Sequence, residues 1–187
     1  MGYCSILAQS QKSDVRPLII GENNFRRISA AICVLIEFMF WKKHPQKFFT
    51  EEEQKRIVEE IRQAEERTSG EIRVHLDRHS KGDVLKKAQM IFYQLGMAHT
   101  KHRNGVLIYL ATDHRKFALV GDEGIHRVVP ENYWDNVKEE MQKYFRAGKF
   151  FEGLCLGIRQ VGEKLQAHFP ADKTAGDELS DEISENG

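Results

Sequence analysis

Cysteine is scarce in this chain: Cys4, Cys33 and Cys155 are the only three in 187 residues, and they form no C-x-x-C. That spacing argues against a structural zinc site and a disulfide framework, and it points to a reducing compartment, so a cytoplasmic location is expected. Net charge is missing as well. The 28 Lys and Arg residues balance 28 Asp and Glu, leaving no basic field to attract nucleic acid. No P-loop, dinucleotide-binding glycine fingerprint, H-E-x-x-H or G-x-S-x-G is present. A spanning helix needs roughly 20 apolar residues. The apolar run Ile28–Trp41 is shorter, carries Glu37, and is flanked by Arg26-Arg27 and Lys42-Lys43. No integral membrane span is therefore expected.

What is present is the balance of a soluble globular protein, 41% hydrophobic and 30% charged, at a length that suits one domain with tails. Residues 1–47 read as an extension with a short apolar segment. The basic residues lie too far from the start for a signal peptide, and Ile6 occupies the position where myristoylation wants Ser or Thr. A peripheral apolar helix, or sequence upstream of the natural start, is the expected reading; membrane association through Ile28–Trp41 is the alternative.

The domain is expected over residues 48–170. Thr50 and Glu53 form a capping box, and Ile57, Ile61 and Ala64 follow at helical spacing. Ile72, Val74 and Leu76 alternate with polar residues, which predicts a strand with one buried face. Leu85, Ala88, Ile91, Phe92 and Leu95 predict a second helix. The unbroken apolar run Val106–Ala111 predicts a central strand, and Lys116–Val120 its hairpin partner. Two more helices are expected from Trp134, Val137, Met141 and Tyr144, and from Phe151, Leu154, Ile158, Val161 and Leu165. Residues 171–187, rich in Asp, Glu, Ser and Gly, read as a disordered acidic tail. The fold class is α/β: a small mixed sheet with helices on its faces, its first two strands made parallel by a right-handed crossover.

That connectivity predicts a meeting point. Parallel strands begin at one end of a sheet, and the hairpin strand ends there. Thr68-Ser69-Gly70-Glu71, Arg103-Asn104-Gly105 and Gly121-Asp122-Glu123-Gly124 should therefore share a pole, with Asp77, Asp113 and His114 at the opposite one. Carboxylates beside an amide oxygen suit a hard cation, and Arg103 is suited to hold a phosphate or to neutralise Glu71 or Asp122. Weaker candidates are the histidine pairs His75/His79 and His99/His102 as metal ligands, and Ser69 and Cys155 as nucleophiles.

T-S-G-E-I-R-V (68–74), R-N-G-V-L-I-Y (103–109), G-D-E-G-I (121–125) and F-R-A-G-K-F-F-E-G-L (145–154) together resemble the TPM domain. That family includes thylakoid acid-phosphatase-like proteins, photosystem II repair proteins and bacterial relatives. The resemblance covers about Phe49–Pro170 and extends weakly to residues 177–183. It implies a three-layer α/β/α sandwich of Rossmann-like outline, Ca²⁺ binding and, as in plant members, acid phosphatase activity. It also implies Asp122 and Glu123 as metal ligands, with Glu71 and Asn104 beside them. A cation, Ca²⁺ or Mg²⁺, would then act with Arg103 facing a phosphate-containing ligand and with Glu71 or Glu123 as general base. The rival expectation is a non-catalytic accessory module that binds a protein partner and uses the charged site only for structure.

Overall fold

The computed structural model describes residues 48–79, 82–171 and 181–186; the apolar segment Ile28–Trp41 lies outside them. The first helix, α1 (Glu51–Glu65), starts at the expected capping box. The Glu53 amide donates to Thr50 Oγ1 at 3.2 Å, and the Thr50 amide donates to Glu53 Oε2 at 2.8 Å. Three glutamates in its first turn complement the helix dipole, and Ile57, Ile61 and Ala64 turn inward. Strand β1 (Ile72–Asp77) leads into α2 (Val84–Gln94), whose Asp83 cap accepts from the Leu85 amide. A 3-10 turn at Met97–His99 precedes β2 (Val106–Ala111) and β3 (Lys116–Gly121). The short α3 (Glu123–Val128) then joins the longer α4 (Tyr133–Arg146) and α5 (Phe150–His168). The described chain ends in β4 (Ser184–Asn186).

The sheet order is β3-β2-β1-β4. β1 and β2 are parallel with Ile72 opposite Val106, and β2 and β3 are antiparallel with Val106 opposite Gly121. Alternation of side chains then divides the core in two. Ile72, Val74, Ile108 and Leu119 pack with Ile57, Ile61, Trp134 and Ile158 from α1, α4 and α5. Leu107, Tyr109 and Val120 pack on the opposite face with Ala88, Ile91 and Phe92 of α2. This is the expected α/β/α sandwich.

Two expectations change. The tail read as disordered over 171–187 contains β4, which pairs parallel with β1 through His75 opposite Ser184. The reason is local: Ile183 reaches the core edge, while Ser184 and Asn186 find hydrogen-bond partners on His75. β1 also departs from the one-faced pattern, because all six of its residues are buried. Its polar residues Arg73, His75 and Asp77 are covered, and His75 and Asp77 have polar partners: Tyr109 donates to Asp77 at 2.9 Å, and His75 is closed over by β4. Among the described residues no helix is long and apolar enough to cross a membrane.

Candidate functional site

The three glycine-containing stretches do meet at one end of the sheet. Backbone hydrogen bonds stitch them in order: the Val106 amide donates to Glu71 O at 2.7 Å, and the Asp122 amide donates to Gly105 O at 2.9 Å. Asn104 Nδ2 donates to Ser69 O at 3.1 Å, tying the second stretch to the first. Thr68 supports its own turn, accepting from the Gly70 amide at 3.0 Å and donating to Phe169 O.

Asp122 sits at the centre of this pole and is fully buried. Its carboxylate takes a two-pronged contact from Arg103, Nε to Oδ2 at 2.7 Å and Nη2 to Oδ1 at 2.9 Å. Oδ1 also accepts from the Glu123 amide at 2.8 Å, so Asp122 caps α3 as well. Arg103 has φ of +53°, a left-handed conformation uncommon outside glycine. Its carbonyl accepts from the Gly124 amide at 2.7 Å. Main chain and side chain of Arg103 are thus both locked to the turn that follows β3. Of the two roles expected for Arg103, the structure shows it holding Asp122.

Glu123 is turned outward and pairs with Arg127 one helical turn on. Glu71 and Asn104 are buried at the pole, and Asn104 Oδ1 has no hydrogen-bond donor among the described residues. Such an orphan acceptor is uncommon in a buried site. No group of three or more His, Cys, Asp or Glu side chains stands ready for a metal among the described residues. A cavity of about 80 Å³ has Glu60, Arg67, Arg159 and Glu163 among its lining, and none of the pole's charged residues.

The weaker candidates disperse. His79 faces Asp113, Nδ1 to Oδ2 at 3.0 Å, with His114 edge-on to it, while His75 is enclosed by β4. His102 lies beside Phe169. Cys155 is buried among α5's core residues, and that burial pushes its thiol up to about 11, which removes the thiolate a nucleophile needs.

One residue of the pole escaped the sequence reading. Glu65, four positions after Ile61 and so on α1's buried side, accepts from the Ile72 amide at the entry to β1. It also hydrogen-bonds Asp181 from the tail, with Glu71 close enough to repel it. Burial, opposed in part by the Ile72 amide, pushes its carboxyl from 4.5 up to about 10. The sign follows from linkage. Folding must bind a proton between those two values, so the stability associated with Glu65 is complete below 4.5 and declines as pH rises towards 10. Glu65→Gln keeps an acceptor for Ile72 and a donor for Asp181 without titrating. At pH 8 the variant should be more stable by on the order of 2 kcal/mol, a gain that shrinks towards pH 5 in urea unfolding. A difference that does not change with pH would mean Glu65 is ionised in the native protein.

The TPM domain model matches residues 43–164. Among solved structures, the NMR structure of BA42 protein from the psychrophilic bacterium Bizionia argentinensis is similar at 44% identity and a TM-score of 0.72, covering 76% of this chain and 99% of that one. No curated protein matches. With the three stretches at one sheet pole and a family match spanning well over half its length, the chain belongs to the TPM-domain family.

Proposed function

We propose that this pole binds a divalent cation, Ca²⁺ or Mg²⁺, and that the chain acts as a cation-binding module. The observation that carries the reading is Asn104 Oδ1, a fully buried amide oxygen lacking a donor among the described residues, at the same pole as buried Glu71. Oxygen donors of this kind suit a hard cation. Glu71 and Asn104 would hold it first. Asp122 and Glu123 are the further candidates, and each would have to loosen from its arginine, Arg103 or Arg127. The present pairing of those arginines favours a module over an enzyme.

Phosphomonoester hydrolysis is the second reading. The Arg103 side chain is 36% exposed, so its guanidinium is within reach of a phosphate arriving from solvent. A bound cation would supply a polarised phosphoryl oxygen and a more acidic water. Glu71 or Glu123 would accept the proton from that water, and Arg103 would offset charge gathering on the phosphate.

Backbone NMR signals of Gly105 and Gly124 during a CaCl₂ or MgCl₂ titration test the first claim. Saturable shifts at both amides, weakened at least tenfold in Glu71→Gln, are expected. Unmoved signals at millimolar cation would sink it. Hydrolysis of p-nitrophenyl phosphate separates the two readings: turnover that requires the cation and disappears in both Glu71→Gln and Asp122→Asn supports the enzyme, and cation binding without turnover supports the module.

A further inference from the structure

At the outer edge of β1, away from the glycine-rich pole, His75 is almost completely buried although its side chain is polar. Its ring stacks on Tyr109, with centroids 5.7 Å apart and planes 9° from parallel. Both ring nitrogens meet the carboxy-terminal segment: Nδ1 lies 2.8 Å from Ser184 Oγ, and Nε2 lies 3.2 Å from Asn186 Nδ2. Ser184 Oγ in turn donates to Val74 O at 3.4 Å. An amide NH₂ only donates, so Nε2 must accept; a hydroxyl that has given its proton to a carbonyl must accept from Nδ1–H. This set of contacts fits one form of the ring, the neutral Nδ1–H tautomer.

The remaining contacts read the segment residue by residue. Gln54 Nε2 donates to Glu185 Oε1 at 3.1 Å, the Arg78 amide donates to Asn186 O at 3.3 Å, Ile183 packs at the core edge, and Asp181 bonds Glu65. Yet β4 is three residues long, and none of them is fully buried. A strand so short with so little apolar burial opens locally at low cost.

We propose that the outer edge of β1 is a strand-acceptor groove for extended Ile-Ser-x-Asn segments, filled in cis by residues 181–186 and emptied when His75 takes up a proton. Its ligand class is an extended acidic peptide placing a hydroxyl and a carboxamide two residues apart, bound by parallel strand addition. The proton acts through geometry. A second N–H on the ring would point at the Asn186 donor, and the charge would be enclosed.

The surrounding charges divide. Asp77 on β1 favours the cation, whereas Arg73 on β1 and Lys87 on α2 oppose it. From β2 the facing group is the Tyr109 ring, and on β4 Glu185 is held by Gln54. Burial is the largest influence, and it holds His75 below its ordinary value of 6.5. Docking is therefore complete above that value and weakens as pH falls through it. Glu65, bonded to Asp181 of the same segment, works in the opposite sense, because the docked segment raises its carboxyl and its proton favours docking as pH falls. The exchange comparison is therefore made in a Glu65→Gln background, which removes that contribution.

Amide exchange of Arg78, whose N–H is bonded to Asn186 O, reports the closed edge in the full chain. After correction for intrinsic rates, its exchange should quicken about tenfold between pH 7.5 and 5.5, while Val106 in β2 stays protected. In His75→Gln the carboxamide offers one donor and one acceptor without titrating, and the pH dependence should vanish. In trans, a fluorescein-labelled Asp-Glu-Ile-Ser-Glu-Asn peptide should bind full-length Ser184→Pro, whose own strand is broken, at pH 7.5. It should bind about tenfold more weakly at pH 5.5, and an analogue with alanine in place of serine and asparagine should fail. Equal acceleration in His75→Gln, an Arg78 rate insensitive to pH, or no peptide binding by Ser184→Pro would overturn the proposal. So would dimers at pH 5.5 that retain Arg78 protection, since the tail would then be exchanged between copies rather than released.

Discussion

Asp122→Ala should lower the unfolding free energy by about 3 kcal/mol, read from urea denaturation at neutral pH. The carboxylate is fully buried and meets three donors, two from Arg103 and one from the Glu123 amide. Removing one member of a fully buried ion pair costs about 3–5 kcal/mol, because the other charge is left without its partner. Arg103 is 36% exposed and can recover hydration, which puts the ion-pair loss at the lower limit of that range or below it. Loss of the α3 cap adds about 1 kcal/mol. Arg103→Lys provides the internal comparison. Lysine retains the charge but not the planar fork, so the loss should be about 1 kcal/mol. Equal losses in the two variants would show that charge alone, and not the two-pronged geometry, matters.

Gly124→Ala should cost about 3 kcal/mol even though alanine is ordinarily the better helix former by about 1 kcal/mol. A Cβ at this position would stand 2.2 Å from His102 O and 2.7 Å from Arg103 O. Both obstacles are main chain, and Arg103 already holds a left-handed conformation, so neither can retreat without breaking the Gly124–Arg103 hydrogen bond. Gly70→Ala is the contrasting case. Its new Cβ would meet Leu165 Cδ2 at 2.6 Å, the far end of a flexible side chain. A smaller loss, about 1 kcal/mol, is expected there. Thermal unfolding of both variants ranks them, and a Gly124→Ala protein as stable as the parent would refute the close approach at the pole.

Much of this arrangement was legible in the residues. The Thr50/Glu53 capping box, the helical spacing of Ile57 and Ile61, and the unbroken run Val106–Ala111 each depend on neighbours within one element. Because a crossover helix makes β1 and β2 parallel, the meeting of Glu71, Gly105 and Asp122 followed from chain order alone. Partnerships between distant segments were harder to read. Arg73, His75 and Asp77 alternate as an exposed strand face would, and nothing nearby marks them as covered. Ser184-Glu185-Asn186 has poor strand propensity, so its pairing depends on side-chain partners over a hundred residues away. Glu65 carried a faint signal, a carboxylate on the stripe of Ile57 and Ile61, which helical periodicity alone reads as the helix margin.

The distance between β1 and its outer neighbour has a kinetic consequence. His75 and Ser184 are separated by 109 residues, and α2, β2, β3, α3, α4 and α5 all lie between them. During synthesis β1 leaves the ribosome with a bare flank that its own chain cannot cover until residues 184–186 have emerged. Closing so large a loop is entropically slow, so within this sheet the last strand to seat should be the one that brings a few polar residues onto an already paired β1–β2–β3 body.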